Sequence, residues 1–191
     1  MINFTLNGQK KQYTGPAETS LLDYLRLEEK ITSVKDGCSG QGTCGACTVE
    51  INGKPRLACT TPMRKVEGAE VTTMEGIPEN VREALVVSFS EKGAVQCGYC
   101  SPGMIMRVAH LFRESKPMSR EEIFKAISPN LCRCTGYIKI VDAIEEAFKR
   151  ILNPEFHSEK SGAKIGDPLP KYESIETALG KRPFVNDLYF D

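Results

Sequence analysis

Residues 36–60 read DGCSGQGTCGACTVEINGKPRLACT, and the fold of the first half follows from them. Cys38, Cys44 and Cys47 share one loop with glycines at 37, 40, 42 and 45, and Cys59 follows after an eleven-residue gap. Between them, residues 48–51 read as a strand, Asn52-Gly53 is a two-residue hairpin signal, and residues 55–60 are the returning strand. Upstream, INFTLN (residues 2–7) alternates, with Ile2, Phe4 and Leu6 on one face, and Asn7-Gly8 is a second type I′ signal. Glu18-Thr19-Ser20 leads into LLDYLRLEE, whose Leu21, Leu22, Tyr24, Leu25 and Leu27 predict a short helix. Residues 71–74 are expected to add a last strand, which makes this half α+β.

Downstream the period changes to helical. Val81, Leu85, Val86 and Phe89 place a helix over residues 78–92. Ser101-Pro102 reads as an N-cap followed by proline in the first turn of a helix running through Met104, Ile105, Val108, Leu111 and Phe112. Ser119-Arg120-Glu121-Glu122 is a capping-box sequence opening a third helix. Thr135-Gly136 opens a fourth, with Ile138, Val141, Ile144, Ala147, Phe148 and Ile151 as its apolar stripe. Four helices with short connections predict a bundle. The boundary between the halves falls near 76–79. Residues 153–170 are rich in Pro, Gly, Ser and charge and read as a linker, and a short helix is expected near 174–179.

The chain has 191 residues, 25 Lys+Arg against 25 Asp+Glu, and eight cysteines. The balanced charge gives no electrostatic case for nucleic acid or anionic lipid. No apolar run reaches the roughly 20 residues of a membrane span, and MINFTLNGQ has neither the basic nor the apolar region of a signal peptide. A cytoplasmic location is therefore expected, where clustered thiols bind metal more often than they form disulfides.

The first quartet is a 3+1 loop, close to the C-x4-C-x2-C…C spacing of plant-type [2Fe–2S] ferredoxins. A Gly-rich loop supplies positive φ angles and backbone N–H groups aimed at cluster sulfur. Structural zinc is the competing reading, but its thiolates usually arrive as paired knuckles. The second quartet is Cys97, Cys100, Cys132 and Cys134, in QCGYCSPG and NLCRCTGY. Each pair precedes a helix N-terminus, whose dipole favours thiolate. This spacing on its own leaves both iron–sulfur and zinc open. His110 reads as a packed or surface histidine, Met104 and Met106 as helix packing, and no Ser/His/Asp set or carboxylate pair stands out as catalytic.

Taken together, VKDGCSGQGTCGACTVEING (residues 34–53), LACTTP (57–62), QCGYCSPGMIM (96–106) and SPNLCRCTGYIKIVDAI (128–144) resemble the iron–sulfur subunit of the xanthine dehydrogenase family, the molybdenum hydroxylases. The resemblance covers residues 1–152. It implies a β-grasp, ferredoxin-like [2Fe–2S] domain over 1–76 and an all-α four-helix-bundle [2Fe–2S] domain over 77–153. It implies that electrons leave molybdopterin on a large molybdenum-binding subunit, enter the helical-domain cluster, pass to the ferredoxin-like cluster and leave to an FAD-binding medium subunit or another acceptor. By position, Gln96 and Cys134 would contact the pterin. The chain would be the electron-transfer part of an enzyme and not catalytic alone. One departure is the five-residue gap between Cys38 and Cys44, where most members have four. The other is residues 164–191, KIGDPLPKYESIETALGKRPFVNDLYFD, which are similar to the start of the molybdenum subunit. Residues 154–191 are thus expected to be a linker and docking tail, anchored in trans through Leu169, Tyr172, Ile175, Leu179, Phe184, Tyr189 and Phe190, against the alternative of a disordered remnant of a fusion. A free-standing, diffusible ferredoxin is the competing function, and a zinc-bound interaction module the third.

Overall fold

Both Asn-Gly pairs make their hairpins. In the structure, a computed structural model that describes residues 1–114, 118–153, 155–156, 164–166 and 169–188, β1 (Ile2–Leu6) pairs antiparallel with β2 (Gln9–Tyr13), Leu6 opposite Gln9. Only Asn7 and Gly8 remain for the turn, at φ 50° and 80°, and positive φ at both is the type I′ geometry whose twist suits the flanking strands. β3 (Thr48–Ile51) and β4 (Lys54–Leu57) repeat the arrangement across Asn52 and Gly53. The returning strand is shorter than residues 55–60: it ends at Leu57, and Ala58–Thr60 close into a 3-10 turn that carries Cys59. β5 (Glu70–Thr72) lies parallel to β1 and antiparallel to β3, giving a mixed sheet in the order β2-β1-β5-β3-β4.

α1 (Leu21–Asp23) is capped by the Ser20 hydroxyl, which accepts the Asp23 N–H, and continues as a π-helical turn over Tyr24–Glu28. Its apolar side covers the sheet. Phe4, Leu6, Leu21, Leu25, Val49 and Val71 are buried together, and Tyr24 stands edge-on to both Phe4 and Tyr13.

A second core begins at Met74. α2 (Glu79–Glu91) packs along α5 (Ile138–Leu152), with α3 (Ser101–Ala109) and α4 (Arg120–Ile127) against them. The capping box of α4 forms: Ser119 accepts the Glu122 N–H while the Glu122 carboxylate accepts from the Ser119 N–H. On α5 the buried stripe starts at Ile140 and runs through Val141, Ile144, Ala147 and Phe148. Ile138 opens the first turn and is exposed, so it is not part of the stripe expected for it. Phe148 stacks on Phe112 at 4.0 Å between ring centres. The chain is α+β, as expected. Among the described residues no helix is long and apolar enough to cross a membrane.

The last described segment folds back on the same chain. α6 (Ser174–Ala178) packs on α2, where Ser174 Oγ and Ser90 Oγ share a buried 2.5 Å hydrogen bond. Leu169 and Tyr172 are exposed, and Phe184 meets Tyr99 edge-on. Tyr189 and Phe190 lie outside the described residues.

Candidate metal centres

The eight thiols stand in four close pairs. In the first loop the Cys44 thiol hydrogen-bonds to Cys38, and Cys47 pairs with Cys59 across β3 and the turn after β4. In the helical half Cys134 Sγ and Cys97 Sγ are 3.6 Å apart, and Cys100 pairs with Cys132. Each sequence-predicted quartet is therefore brought together as two pairs. No three His, Cys, Asp or Glu among the described residues converge on a single metal-ion position.

Local backbone prepares the first loop for anionic sulfur. Burial alone would raise Cys38, but the N–H groups of Thr43 and Cys44 point at its sulfur and bring it down to about 6. The Ala46 N–H donates to Cys44 Sγ at 3.5 Å. Gly40, Gly42 and Gly45 take positive φ, as the loop reading expects. Gly37 does not. A Cβ there would stand 3.1 Å from Cys44 Sγ, so its role is room for the sulfur. Ser39 instead takes the left-handed conformation at φ 50°. Burial pushes Cys47 up to about 12.

In the second quartet, the Cys100 thiol donates to Cys132, which with help from the Thr135 hydroxyl at 3.1 Å holds Cys132 at about 5 against burial. Cys100 is raised in return, first by that bond and then by burial. Cys134 is raised by its bond to Cys97. Cys100 itself caps α3, with Ser101 inside the first turn, so the helix starts one residue earlier than Ser101-Pro102 suggests. Cys97, Cys134 and Gln96 are exposed on one edge of this half, and the Gln96 carbonyl accepts from the Lys171 ammonium.

The two loops touch through residues the sequence reading did not single out. Asn130, 1% exposed, donates to the Gly45 carbonyl at 2.8 Å and accepts from Arg107 Nε at 2.9 Å. The Leu131 N–H donates to the Cys44 carbonyl at 2.8 Å, one residue before Cys132. Tyr99 donates to the Asp36 carbonyl at 2.6 Å. Gly103 lets α3 approach so closely that a Cβ would stand 2.7 Å from the Gly45 carbonyl oxygen. Burial pulls the Arg107 guanidinium below its ordinary value, against the opposing field of Cys47. The available signal was position: Tyr99 and Asn130 lie inside the two cysteine motifs, and neither is needed there as a ligand.

Comparison with known proteins agrees with this arrangement. Residues 9–93 match the 2Fe-2S iron-sulfur cluster binding domain family, and residues 73–145 match the [2Fe-2S] binding domain family. The fold and its paired thiols thus define an iron–sulfur protein with two [2Fe–2S]-binding domains. The nicotinate dehydrogenase small FeS subunit of Eubacterium barkeri is 44% identical over 153 residues, which is 80% of this chain and 97% of that protein. The nicotine 6-hydroxylase small subunit of Paenarthrobacter nicotinovorans is 35% identical over 152 residues, 80% of this chain and 92% of that one. The crystal structure of the aldehyde oxidoreductase from Desulfovibrio desulfuricans superposes with a TM-score of 0.87 at 36% identity, covering 97% of this chain and 22% of that chain. The present chain therefore spans about a fifth of that longer protein. The chain belongs to the iron–sulfur subunit family of the molybdenum hydroxylases. Its role is electron transfer inside such an enzyme rather than as a free ferredoxin, and the molybdopterin lies on a molybdenum-binding partner.

Proposed function

We propose that Cys38, Cys44, Cys47 and Cys59 hold one [2Fe–2S] cluster and that Cys97, Cys100, Cys132 and Cys134 hold the other. The pairing of the thiols carries this reading. A two-iron cluster takes two thiolates on each iron, whereas structural zinc takes four around one point. The backbone N–H groups aimed at Cys38 and Cys44 sulfur fit it too, because such donors favour the thiolate that a ligand must be. When bound, each cluster takes up one electron and gives it back. The protein's part is to fix the thiolates, aim backbone N–H groups at sulfur, and bury the contact between the loops.

The chain divides on this reading into a ferredoxin-like domain over 1–76, a helical domain over 77–153 built as a four-helix bundle, and a tail over 154–191. The two separate hydrophobic cores support that division. Gln96 and Cys134 meet the pterin of the molybdenum-binding partner; their exposure beside Cys97 supports this. An FAD-binding subunit or another acceptor takes the electrons from the first cluster, and the complex works in the cytoplasm. Relatives named for nicotinate, nicotine and aldehydes suggest that the complex hydroxylates an N-heterocycle or an aldehyde.

Cys134→Ser in the iron-loaded chain tests the ligand sets. One of the two EPR signals of the reduced protein changes and the other stays. Loss of both without unfolding contradicts two independent sites. Co-purification of the tagged chain followed by identification of a bound molybdenum-binding subunit tests the partner, and a monomer without molybdenum contradicts it.

A further inference from the structure

The tail carries a buried charge into the seam between the two cysteine loops. Lys35 is fully buried, three residues before Cys38, and its N–H donates to the Ala46 carbonyl at 3.3 Å between Cys44 and Cys47. Its ammonium donates to Asp187 Oδ2 at 2.5 Å. Arg26, also buried, donates to Asp187 Oδ1 at 3.0 Å, to the Asn186 carbonyl at 2.6 Å and to the Val34 carbonyl at 2.9 Å. The Asp187 carboxylate thus faces two buried cations, and removing one partner of a buried ion pair is strongly unfavourable.

The neighbouring tail residues reach both loops. Asn186 Nδ2 donates to the Tyr99 hydroxyl at 2.6 Å and approaches the Asp36 carbonyl at 3.5 Å. Tyr99 lies directly before Cys100, and Asp36 two residues before Cys38. Phe184 meets the Tyr99 ring edge-on at 4.9 Å and lies under the Lys35 ammonium at 5.1 Å, while its N–H donates to Asp187 Oδ2. At Gly180 the segment passes so close that a Cβ would stand 2.8 Å from Ser33 Cα and 2.9 Å from Pro102.

We propose that residues 184–187 are a clasp that positions the two cysteine loops against each other, with Asp187 as its positioning residue. The idea rests on the cluster reading only for its redox consequence. The mechanical part stands on the contacts alone.

The test compares the full-length wild type with Asn186→Ala, Asp187→Asn and Asp187→Glu by hydrogen–deuterium exchange and by EPR-monitored redox titration. Exchange at residues 35–38 and 98–100 is expected to rise by about tenfold or more in Asn186→Ala and Asp187→Asn, since both loosen the seam. Iron content is expected to stay at the wild-type value. The midpoint of the first-quartet signal is expected to move positive in Asp187→Asn only, because that change removes a negative charge from beside Lys35 and Arg26, and a less negative surrounding favours the added electron. Asp187→Glu keeps the charge and restores the wild-type midpoint. Unchanged exchange in both loosening variants overturns the clasp, as does an unmoved midpoint in Asp187→Asn at wild-type iron content. Should Asp187→Asn fail to fold, the exchange of Asn186→Ala decides. A wild-type chain without iron overturns the cluster reading instead, and exchange still decides the clasp.

Discussion

Replacing Asn130 by alanine should loosen the first cysteine loop although the change lies in the second half of the chain. The Asn130 side chain donates to the Gly45 carbonyl and to Thr48 Oγ1, and accepts from Arg107 Nε. Alanine takes one of three donors from the Gly45 carbonyl, which keeps the Thr48 N–H and hydroxyl, and strands a part-buried guanidinium. Losing the bond to the charged guanidinium costs about 1.5–3 kcal/mol and the shared bond to the carbonyl less, so the sum is about 2–4 kcal/mol. The assay is denaturant unfolding of the iron-loaded chain, followed by visible circular dichroism for the clusters and far-ultraviolet circular dichroism for the backbone. The visible signal of the first quartet is expected to disappear at lower denaturant than in wild type. Asn130→Asp keeps the Arg107 contact but turns an acceptor toward the Gly45 carbonyl, and should fall between. An Asn130→Ala chain within about 1 kcal/mol of wild type would refute the view that this side chain joins the halves.

Gly103→Ala should cost at least about 1–3 kcal/mol, because its Cβ meets the backbone oxygens of Gly45 and Ala46 at 2.7 and 2.9 Å and backbone does not yield easily; an unchanged melting temperature would contradict this. Phe148→Ala removes a buried ring stacked on Phe112 and should cost about 3–5 kcal/mol in the same melts. Burial would raise the Glu146 carboxyl, yet hydrogen bonds from Lys92 and Arg150 hold it below the ordinary 4.5. A depressed carboxyl adds stability above its unfolded-state pKa and loses it as pH falls through the folded value. Wild type should therefore lose its advantage over Glu146→Gln as pH drops below about 4.5, and parallel melting curves of the two chains across that range would contradict the ion pair.

Short-range features were legible in the sequence wherever one or two residues dictate geometry. Asn7-Gly8 and Asn52-Gly53 can enter the left-handed region and so name their hairpins. Ser119 and Glu122 cap α4 through bonds to backbone three residues away. The close approach of Cys38 to Cys44 was legible because both lie in one glycine-rich loop, whereas the meeting of Cys97 with Cys134 spans 37 residues and was suggested by the resemblance. Asn130, Gly103 and Asp187 were not legible, because each acts on a segment distant in the chain: Asn130 meets Gly45, 85 residues away, and Asp187 meets Lys35, 152 residues away. Local pattern carries no information about such a meeting. The apolar residues of the tail suggested docking, but not that residues 174–187 would dock on this chain's own α2 and on the seam beside Tyr99. Ile138 was misplaced because periodicity cannot tell where a helix first touches its neighbour.

The central claim is that two sets of four thiolates each hold iron and sulfide. Elemental and acid-labile sulfide analysis of the purified chain, with EPR after reduction, tests it most directly. About four iron and about four sulfide per chain are expected, with two distinct signals. A folded, colourless chain carrying zinc and showing no signal on reduction would contradict it.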